Sequence, residues 1–317
     1  MQASKLFVGV DVAKAELVTA THETGVGCVL ANLGSAIDGW LHTLPAGTVI
    51  AMESTGSYHR LLAQRAHAAG LTVYVLNARD VYFYAKALGA RSKTDRVDAR
   101  LIARYVAEHH PRLHAWQPGV GSHALVQELM LRRAAVVAKR TALRQTLRGC
   151  SELGPALAQL DKSFDALLQA LDAQVQALID ADTTLSAGQA RLRTITGFGP
   201  QASALLAALL ARMGFANADA LVAYSGMDPR ANDSGAKYGK RRLSKRGLPA
   251  LRRQMYLAAF AASHSKALAP LYQATRARGF STTESLVILA RKLLRVAFAV
   301  WKTATPFDAR KMVPQHA

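Results

Sequence analysis

The sequence contains little cysteine and no long hydrophobic run. Its two cysteines, Cys28 and Cys150, lie far apart in the chain. They support neither a disulfide framework nor a cysteine-based zinc site, and such usage is typical of the reducing cytoplasm. Charged residues interrupt every apolar stretch before it reaches the length of a membrane span, and the first apolar run is too short for a signal peptide. We therefore expect a cytoplasmic protein without a membrane-spanning segment.

Acidic residues are scarce in the last part of the chain. Residues 1–185 carry 19 Lys and Arg against 16 Asp and Glu, whereas residues 186–317 carry 21 against 5, and the whole chain has a formal charge of +19. A segment this basic attracts polyanions, and nucleic acid binds such a surface with release of counterions. An acidic membrane surface is a weaker candidate, because no basic amphipathic anchor stands out. Half of all residues are hydrophobic, which excludes a disordered chain.

The first 112 residues predict an α/β domain. Apolar, β-branched runs alternate with helix-like segments in the order three strands, helix, strand, helix, strand, helix. The predicted strands cover residues 6–10, 16–21, 27–32, 48–52 and 71–76, and the first two predicted helices cover residues 34–44 and 58–69.

Residues 78–91 are predicted to link the last strand to the third helix. Tyr82, Phe83 and Tyr84 in this link are candidates for stacking on nucleic-acid bases. At this density of aromatic residues, core or hinge positions are the favoured interpretation.

Four acidic residues of this domain are placed so that they can converge. Asp11 and Glu53 each follow a predicted strand, at the edge where functional groups collect in parallel α/β sheets. Asp95 and Asp98 lie one turn apart on one face of the third predicted helix. Neighbouring carboxylates repel one another unless a cation neutralises them, and oxygen ligands favour Mg²⁺ or Mn²⁺. Two such ions about 4 Å apart can bind the attacking and leaving oxygens of a phosphodiester.

Simpler explanations exist for each acid alone. The third helix can be an ordinary solvated helix of alternating charge, and Glu53 can cap a turn. The cations Lys93, Arg96 and Arg100 would attract a polyanion towards the acids. What favours the functional interpretation is the set of all four acids, because four converging carboxylates need a metal ion between them.

Residues 113–185 predict two long helices. A helix-rich, basic stretch at residues 125–147 is followed by a break at 149–155. Apolar residues then recur every three or four positions, which is close to a heptad seam. The seam residues are Leu153, Leu157, Leu160, Phe164, Leu167, Leu171, Val175 and Leu178. We expect an antiparallel coiled-coil arm whose seam lies either within the chain or between subunits. We favour a contribution to self-association, and a plain helical hairpin is the alternative.

Residues 186–317 predict a basic and mainly helical domain. The segment around Gly197 and Gly199 is typical of a helix-hairpin-helix turn, in which backbone amides at a helix N-terminus bind a phosphate. An ordinary turn between two helices is the alternative. Amphipathic helices are also predicted at residues 251–264 and 285–301.

A polar, glycine-rich loop rich in cations lies between these helices. Its cations are Lys237, Lys240, Arg241, Arg242, Lys245 and Arg246. A serine in such a loop can attack a phosphate while the cations stabilise the transition state. Ser225 ends an apolar helical stretch, and Ser244 lies at or just before a helix start. Ser234, beside Gly235, has the least obvious structural role of the three.

Two sets of motifs resemble those of one known family. The acidic motifs occupy residues 9–14, 53–58 and 93–99. A Tyr-x-Gly-x-x-Pro, Ser-Gly and Ser-Lys-x-Gly succession occupies residues 224–229, 234–235 and 244–247. The chain thereby resembles the DEDD transposases of the insertion-sequence 110 family over nearly its whole length.

This resemblance implies a fold, a reaction and partners. It implies a RuvC/ribonuclease-H-like domain at residues 1–112, a helical coiled-coil linker at 113–185 and a basic transposase domain at 186–317. The four acids would bind Mg²⁺ or Mn²⁺, and Ser234 would be the nucleophile that joins covalently to DNA. A bridge RNA encoded by the same element would select the double-stranded donor and target DNA. A homo-oligomer, a dimer or a tetramer, would carry out the recombination.

Two other functions stay open. A RuvC-like nuclease would cleave DNA junctions with metal-activated water, and Ser234 would then be structural. A nucleic-acid-binding scaffold would have no activity. The four acids argue against the scaffold, because a binding protein has no reason to gather carboxylates near DNA phosphates.

Overall fold

The computed structural model divides the chain into two units, Met1–Pro118 and Gly119–Ala317. It describes residues 5–54, 56–89, 94–119, 121–231, 233–234, 239 and 241–312. The first unit is α/β and the second is mainly helical, so the predicted mixed fold class is confirmed. The predicted division into three segments stays a prediction.

A mixed sheet forms the centre of the first unit. Its strands are β1 (Phe7–Val12), β2 (Glu16–Thr21), β3 (Val29–Ala31), β4 (Val49–Glu53) and β5 (Thr72–Leu76). They lie in the order β3-β2-β1-β4-β5, in which β1, β4 and β5 are parallel, and β2 is antiparallel to both of its neighbours. The helices are α1 (Gly34–Leu41), α2 (His59–Ala68), α3 (Ala78–Ala87) and α4 (Asp95–His109).

The predicted strands and helices of the first unit are all observed, with one additional helix. Helix α3 occupies most of the segment that was predicted as a link. It begins at a good cap, because the Asn77 side chain accepts a hydrogen bond from the Arg79 amide at 2.9 Å.

Both faces of the sheet are covered by helices. Side chains alternate along the central strands, so each strand contributes residues to both faces. One face packs on α1 and α2 through Val8, Val10, Val12, Ile50 and Met52. The other face packs on α4 through Val49, Ala51, Tyr74 and Leu76. A mixed sheet of this order with helices on both faces fits a ribonuclease-H-like domain.

Helix α4 lies directly on the backbone of β1. A Cβ atom added at Gly9 would lie 2.1 Å from the backbone oxygen of Ala99 and 2.3 Å from the amide nitrogen of Ala103. Near the start of β1 and the end of α4, the rings of Phe7 and His110 have centroids 4.9 Å apart. Helix α4 therefore runs antiparallel to β1, and its first turn lies towards the end of that strand.

The described part of the second unit is built around one apolar helix. Its helices are α5 (Gly121–Thr146), α6 (Gly154–Asp180), α7 (Thr183–Arg193), α8 (Pro200–Arg212), α9 (Ala218–Ser225), α10 (Pro249–Ser263), α11 (Ala269–Ala277) and α12 (Thr282–Thr303). Helix α8 is buried from residue 202 to residue 210 and packs against α5, α7, α10 and α12. The short strands β6 (Pro229–Arg230) and β7 (Arg242–Leu243) pair antiparallel. In neither unit does a helix of the described residues have the length and apolarity needed to cross a bilayer.

Helices α5 and α6 pack as an antiparallel pair. Arg133 forms an ion pair with Asp172 at 2.6 Å, and Arg140 forms one with Asp161 at 2.9 Å, so residue numbers rise on one helix as they fall on the other. Part of the predicted heptad seam is largely exposed. The exposed residues are Leu153, Leu160 and Leu167, at 42%, 41% and 48%. Packing within the chain therefore leaves a stripe of the seam uncovered.

Replacing Gly9 with valine is expected to destabilise the first unit. The added side chain would overlap the α4 backbone, and overpacking of this kind costs about 1–3 kcal/mol of unfolding free energy. Urea denaturation of the full chain measures the loss. Gly39→Ala on α1 is the matched control, because no atom lies within 4 Å of its added Cβ. An unchanged urea midpoint in Gly9→Val would contradict the close packing described here.

Candidate functional site

Asp11 and Glu53 lie at the same edge of the sheet. Asp11 is the penultimate residue of β1, and Glu53 is the last residue of β4. The two strands are parallel and pair Val10 with Met52, so the next residue along each strand is one of the acids. Strand alternation places both acids on the face of the sheet that includes Gly9, which α4 covers. Both residues are half-buried.

Helix α4 directs its two acids towards this edge. Asp95 and Asp98 occupy its first turn, and Thr94 caps it by accepting a backbone hydrogen bond through Oγ1 at 3.3 Å. One turn further along, Ala99 and Ile102 are fully buried against the sheet. Residues four positions apart share a helix face, so both aspartates lie on the sheet-facing side, beyond its buried part.

The four carboxylates share one end and one face of the unit without forming a closed cage. In the part of the chain that the structure describes, no three His, Cys, Asp or Glu side chains are grouped closely enough to hold a metal ion. Carboxylate oxygens are hard ligands, so the donor set fits Mg²⁺ or Mn²⁺. Acids in a first helical turn also stabilise the helix dipole, by about 0.3–1 kcal/mol each. The position of Asp95 and Asp98 therefore has a structural benefit as well.

The predicted cations around the acids differ in their surroundings. Arg96 is exposed beside Asp95. Arg100 is exposed as well, and its Nε donates a hydrogen bond to the backbone oxygen of Gly25 at 3.3 Å, which connects α4 to the turn between β2 and β3. Lys93 lies outside the described residues.

Gly197 and Gly199 lie in the turn between α7 and α8. Gly197 has φ of +92°, and an added Cβ would lie 2.3 Å from the backbone oxygen of Ala258 in α10. Gly199 is the exposed N-cap of α8, and Pro200 follows it as the first helical residue. Packing on α10 thus explains Gly197, and phosphate binding by this turn stays a prediction.

Two of the three candidate serines have structural roles. Ser225 is fully buried, and its Oγ donates to the backbone oxygen of Val222 at 2.6 Å. Ser244 is 6% exposed, its Oγ hydrogen-bonds the Asp228 carboxylate, and its amide donates to the Asp228 backbone oxygen at 2.9 Å. It lies ahead of α10, which begins at Pro249. Both hydroxyls are thus hydrogen-bonded within the protein.

Two glycines join the motif segments that contain these serines. A Cβ atom added at Gly247 would lie 2.0 Å from the backbone oxygen of Tyr224. One added at Gly226 would lie 2.7 Å from the amide nitrogen of Gly247. Arg252 Nη1 donates to the backbone oxygens of Ser225, at 3.0 Å, and Gly247, at 2.8 Å. Sequence reasoning missed this role of Arg252, because nothing local to α10 distinguishes it from a surface cation. The two segments form a rigid base from which the β6–β7 loop extends.

Ser234 is exposed in the loop between β6 and β7. Beside it, Asp233 accepts hydrogen bonds from Arg241 Nη1 at 2.7 and 2.8 Å and from the Gly239 amide at 3.0 Å. The Arg241 guanidinium lowers the pKa of the Asp233 carboxyl below its usual range. Arg241 thus holds the described part of the loop together, a role that its sequence position did not indicate.

The other predicted cations of this region follow Ser234 in the sequence. Those that the structure describes are exposed: Arg242, Lys245 and Arg246. Two predicted cations lie outside the described residues: Lys237 and Lys240. The exposed serine is thus flanked in sequence by positive charge on the side of β7.

Comparison with known proteins gives two family matches. The family model for DEDD transposases of IS110 elements, described as "Transposase", matches residues 8–151. A second model, described as "Transposase IS116/IS110/IS902 family", matches residues 189–273. The first match includes the four acids and the second includes Ser234.

Curated relatives agree with these matches. The pilin gene-inverting proteins of Moraxella lacunata and Moraxella bovis are each 29% identical to the chain, over 97% of it and 99% of the relative. The insertion element IS110 uncharacterized 43.6 kDa protein of Streptomyces coelicolor is 30% identical over 49% of the chain and 38% of its own length. The motifs, the two family models and these relatives together show that the chain belongs to the IS110 family of transposases and is a DNA transposase or recombinase enzyme.

Proposed function

We propose that the chain cuts and rejoins DNA strands through a phosphoserine intermediate, with Ser234 as the nucleophile and divalent metal held by Asp11, Glu53, Asp95 and Asp98. The observation that carries this proposal is the placement of the four carboxylates at one end and on one face of the sheet. DEDD transposases generally use divalent metal ions. A bound Mg²⁺ would stabilise negative charge on the phosphate oxygens.

The open arrangement of the acids is compatible with such a site. Mg²⁺ usually binds one or two carboxylates and keeps water or substrate phosphate oxygens as its other ligands. DNA can therefore complete a site that the protein alone leaves open. Asp95 is exposed at the first residue of α4, where a ligand can reach it.

The exposure of Ser234 supports its assignment as the nucleophile. The other two serines of the motif region are buried and hydrogen-bonded within the protein. In the proposed step the Ser234 oxygen forms a bond to phosphorus and the bond from phosphorus to a sugar oxygen breaks. The serine proton is lost to solvent, and the departing sugar oxygen takes up a proton. In the second step a sugar hydroxyl of the new strand attacks the phosphoserine, and the serine recovers its proton.

The relatives favour rejoining over simple cleavage. The Moraxella proteins are named for inverting a pilin gene. Inversion requires that cut ends be joined again, and a covalent link between protein and DNA conserves the phosphodiester bond for that purpose. A RuvC-like nuclease would instead hydrolyse the phosphodiester bond with metal-activated water. It stays the alternative.

Further parts of the proposal concern the guide RNA, a phosphate-binding turn and the cellular location. We propose that a bridge RNA selects the donor and target DNA, as the family resemblance implies. The formal charge of +19 suits a protein that binds two nucleic acids. We propose that the turn before α8 binds a phosphate as part of a helix-hairpin-helix, and that the chain acts in the cytoplasm.

Self-association is the remaining part. Exposed leucines just before and within α6 recur every seven residues, at positions 153, 160 and 167. This spacing is that of a coiled-coil seam. We propose that a second subunit covers them in a coiled-coil arm.

Changing Ser234 to alanine is expected to abolish the covalent link to DNA. Without the attacking oxygen, strand cleavage should fall by at least about a thousandfold. The measurement is a denaturing gel of labelled DNA incubated with the protein, Mg²⁺ and RNA from the flanking non-coding region. The Ser151→Ala variant is the matched control, because Ser151 is exposed at the far tip of the α5–α6 pair. Cleavage at the normal rate in Ser234→Ala would favour the nuclease.

Changing Asp11 to asparagine or Glu53 to glutamine is expected to remove metal binding and activity together. Losing one carboxylate ligand should lower cleavage at least about a hundredfold, since DNA cleavage by this site depends on metal-stabilised charge. Isothermal titration of Mn²⁺ into the protein with uncleavable DNA gives a readout besides activity. Glu23→Gln, at an exposed position in the first unit, is the control. Unchanged Mn²⁺ binding in both site variants would rule out the acids as ligands.

Removing charge at Arg242 and Lys245 is expected to weaken DNA binding and flatten its salt dependence. Each cation that contacts a phosphate contributes about one unit to the slope of log K against log salt. Binding of labelled duplex DNA over a range of salt concentrations measures this slope for Arg242→Gln and Lys245→Gln. Lys162→Gln, exposed on α6, should leave the slope unchanged. A wild-type slope in both loop variants would show that these cations do not touch DNA.

A further inference from the structure

We propose that the outer face of α3 is a stacking platform for unpaired DNA bases. This platform consists of Tyr82 and Phe83 with the flanking cations Arg79 and Lys86. The inference rests on the proposed function in one respect, because it requires a chain that opens and exchanges DNA strands. It adds a binding surface with a defined ligand chemistry.

The rings of the platform face solvent. Tyr82 is 53% exposed and Phe83 is 47% exposed. Their ring centroids lie 5.5 Å apart in an edge-to-face arrangement. The opposite side of α3 is buried. Val81 is 3% exposed and packs in the core, which fixes the rotation of the helix and turns the two rings outwards.

Each ring carries a cation. The Arg79 guanidinium lies 5.4 Å from the centroid of Phe83, and the Lys86 ammonium lies 4.8 Å from the centroid of Tyr82. Aromatic faces stack on bases of any sequence, and neighbouring cations neutralise the phosphates between them. This combination suits a nucleic-acid strand better than an apolar protein partner.

The third aromatic residue of the segment behaves differently. The Tyr84 hydroxyl donates to the Glu108 carboxylate at 2.6 Å, and its ring packs on Tyr105 of α4. Desolvation by burial and this hydrogen bond raise the pKa of Tyr84 to about 12. Tyr84 therefore anchors α3 to α4, and the favoured core interpretation holds for this residue alone. The adjacent rings of Tyr82 and Phe83 have no such role.

The enzyme class identifies the ligand as DNA. A DNA recombinase exchanges strands, so base pairs next to a cut must open and their bases become unpaired. Helix α3 begins at Ala78, just after Leu76, which pairs with Glu53. From there α3 runs away from the acids, because Tyr84 contacts Tyr105 and Glu108 in the last part of α4. The platform therefore binds a strand that leads away from the acidic edge.

The test is binding of a short single-stranded oligodeoxynucleotide that contains 2-aminopurine, with the full chain and a chelator so that no cleavage occurs. Stacking is worth about 1–3 kcal/mol per base. The double variant Tyr82→Ala with Phe83→Ala should therefore raise Kd for the single strand by on the order of tenfold or more and remove the fluorescence quenching. Binding of the matching duplex should change less than about twofold.

Two variants serve as controls. Phe260→Ala removes a ring that is 51% exposed on α10 and should leave single-strand binding unchanged. Tyr82→Phe with Phe83→Tyr keeps both rings and should bind as the native chain does. If the double alanine variant has a lower Tm than the native chain, Arg79→Gln with Lys86→Gln tests the same surface with the rings intact. We expect this variant to raise Kd for the single strand roughly two- to fivefold.

Three results would overturn the platform. They are an unchanged Kd for the single strand, an equal loss for single strand and duplex, and a loss confined to an RNA oligonucleotide of the same sequence. Because no metal and no cleavage enter the assay, it is separate from the phosphoserine chemistry. Selective loss of single-strand binding supports the platform even where no covalent DNA link forms.

Discussion

The contact between the backbones of α4 and β1 at Gly9 determines where the acids of the first unit lie. Only a residue without a side chain allows the helix to approach the strand this closely. The buried alanines of α4 then fix which of its faces meets the sheet. One turn before them, the same face carries Asp95 and Asp98 towards the strand ends with Asp11 and Glu53. The packing of an apolar interface thus positions polar groups that lie far apart in sequence.

The second unit uses the same principle to a different end. Gly226 and Gly247 pack backbone to backbone, and Arg252 binds the carbonyls on both sides of that contact. The hydroxyls of Ser225 and Ser244 form hydrogen bonds within this base. What the base presents is a loop, braced by Asp233 and Arg241, that leaves Ser234 exposed. The exposure of Ser234 suits the role of nucleophile that we propose for it.

The sequence predicts the strands and the acidic edge well, because both depend on local patterns. Apolar runs that end in Asp11 and Glu53 are legible from residue types alone, and parallel pairing follows from the intervening helices. Helix α3 was missed because its pattern is inverted: the large rings of Tyr82 and Phe83 face solvent, and Val81 is the buried residue. The structural role of Arg252 depends on two glycines distant in sequence. The spacing of the leucines just before and within α6 predicts a seam, but spacing alone does not reveal which of its residues the rest of the chain leaves exposed.

The central claim is that these four carboxylates and a DNA phosphate share divalent metal. The most direct measurement is an anomalous-scattering map of crystals of the chain grown with DNA and Mn²⁺. The account predicts density within about 2–2.5 Å of carboxylate oxygens from both the sheet edge and the first turn of α4. Manganese bound elsewhere, with Asp11 and Glu53 far from any metal, would contradict it.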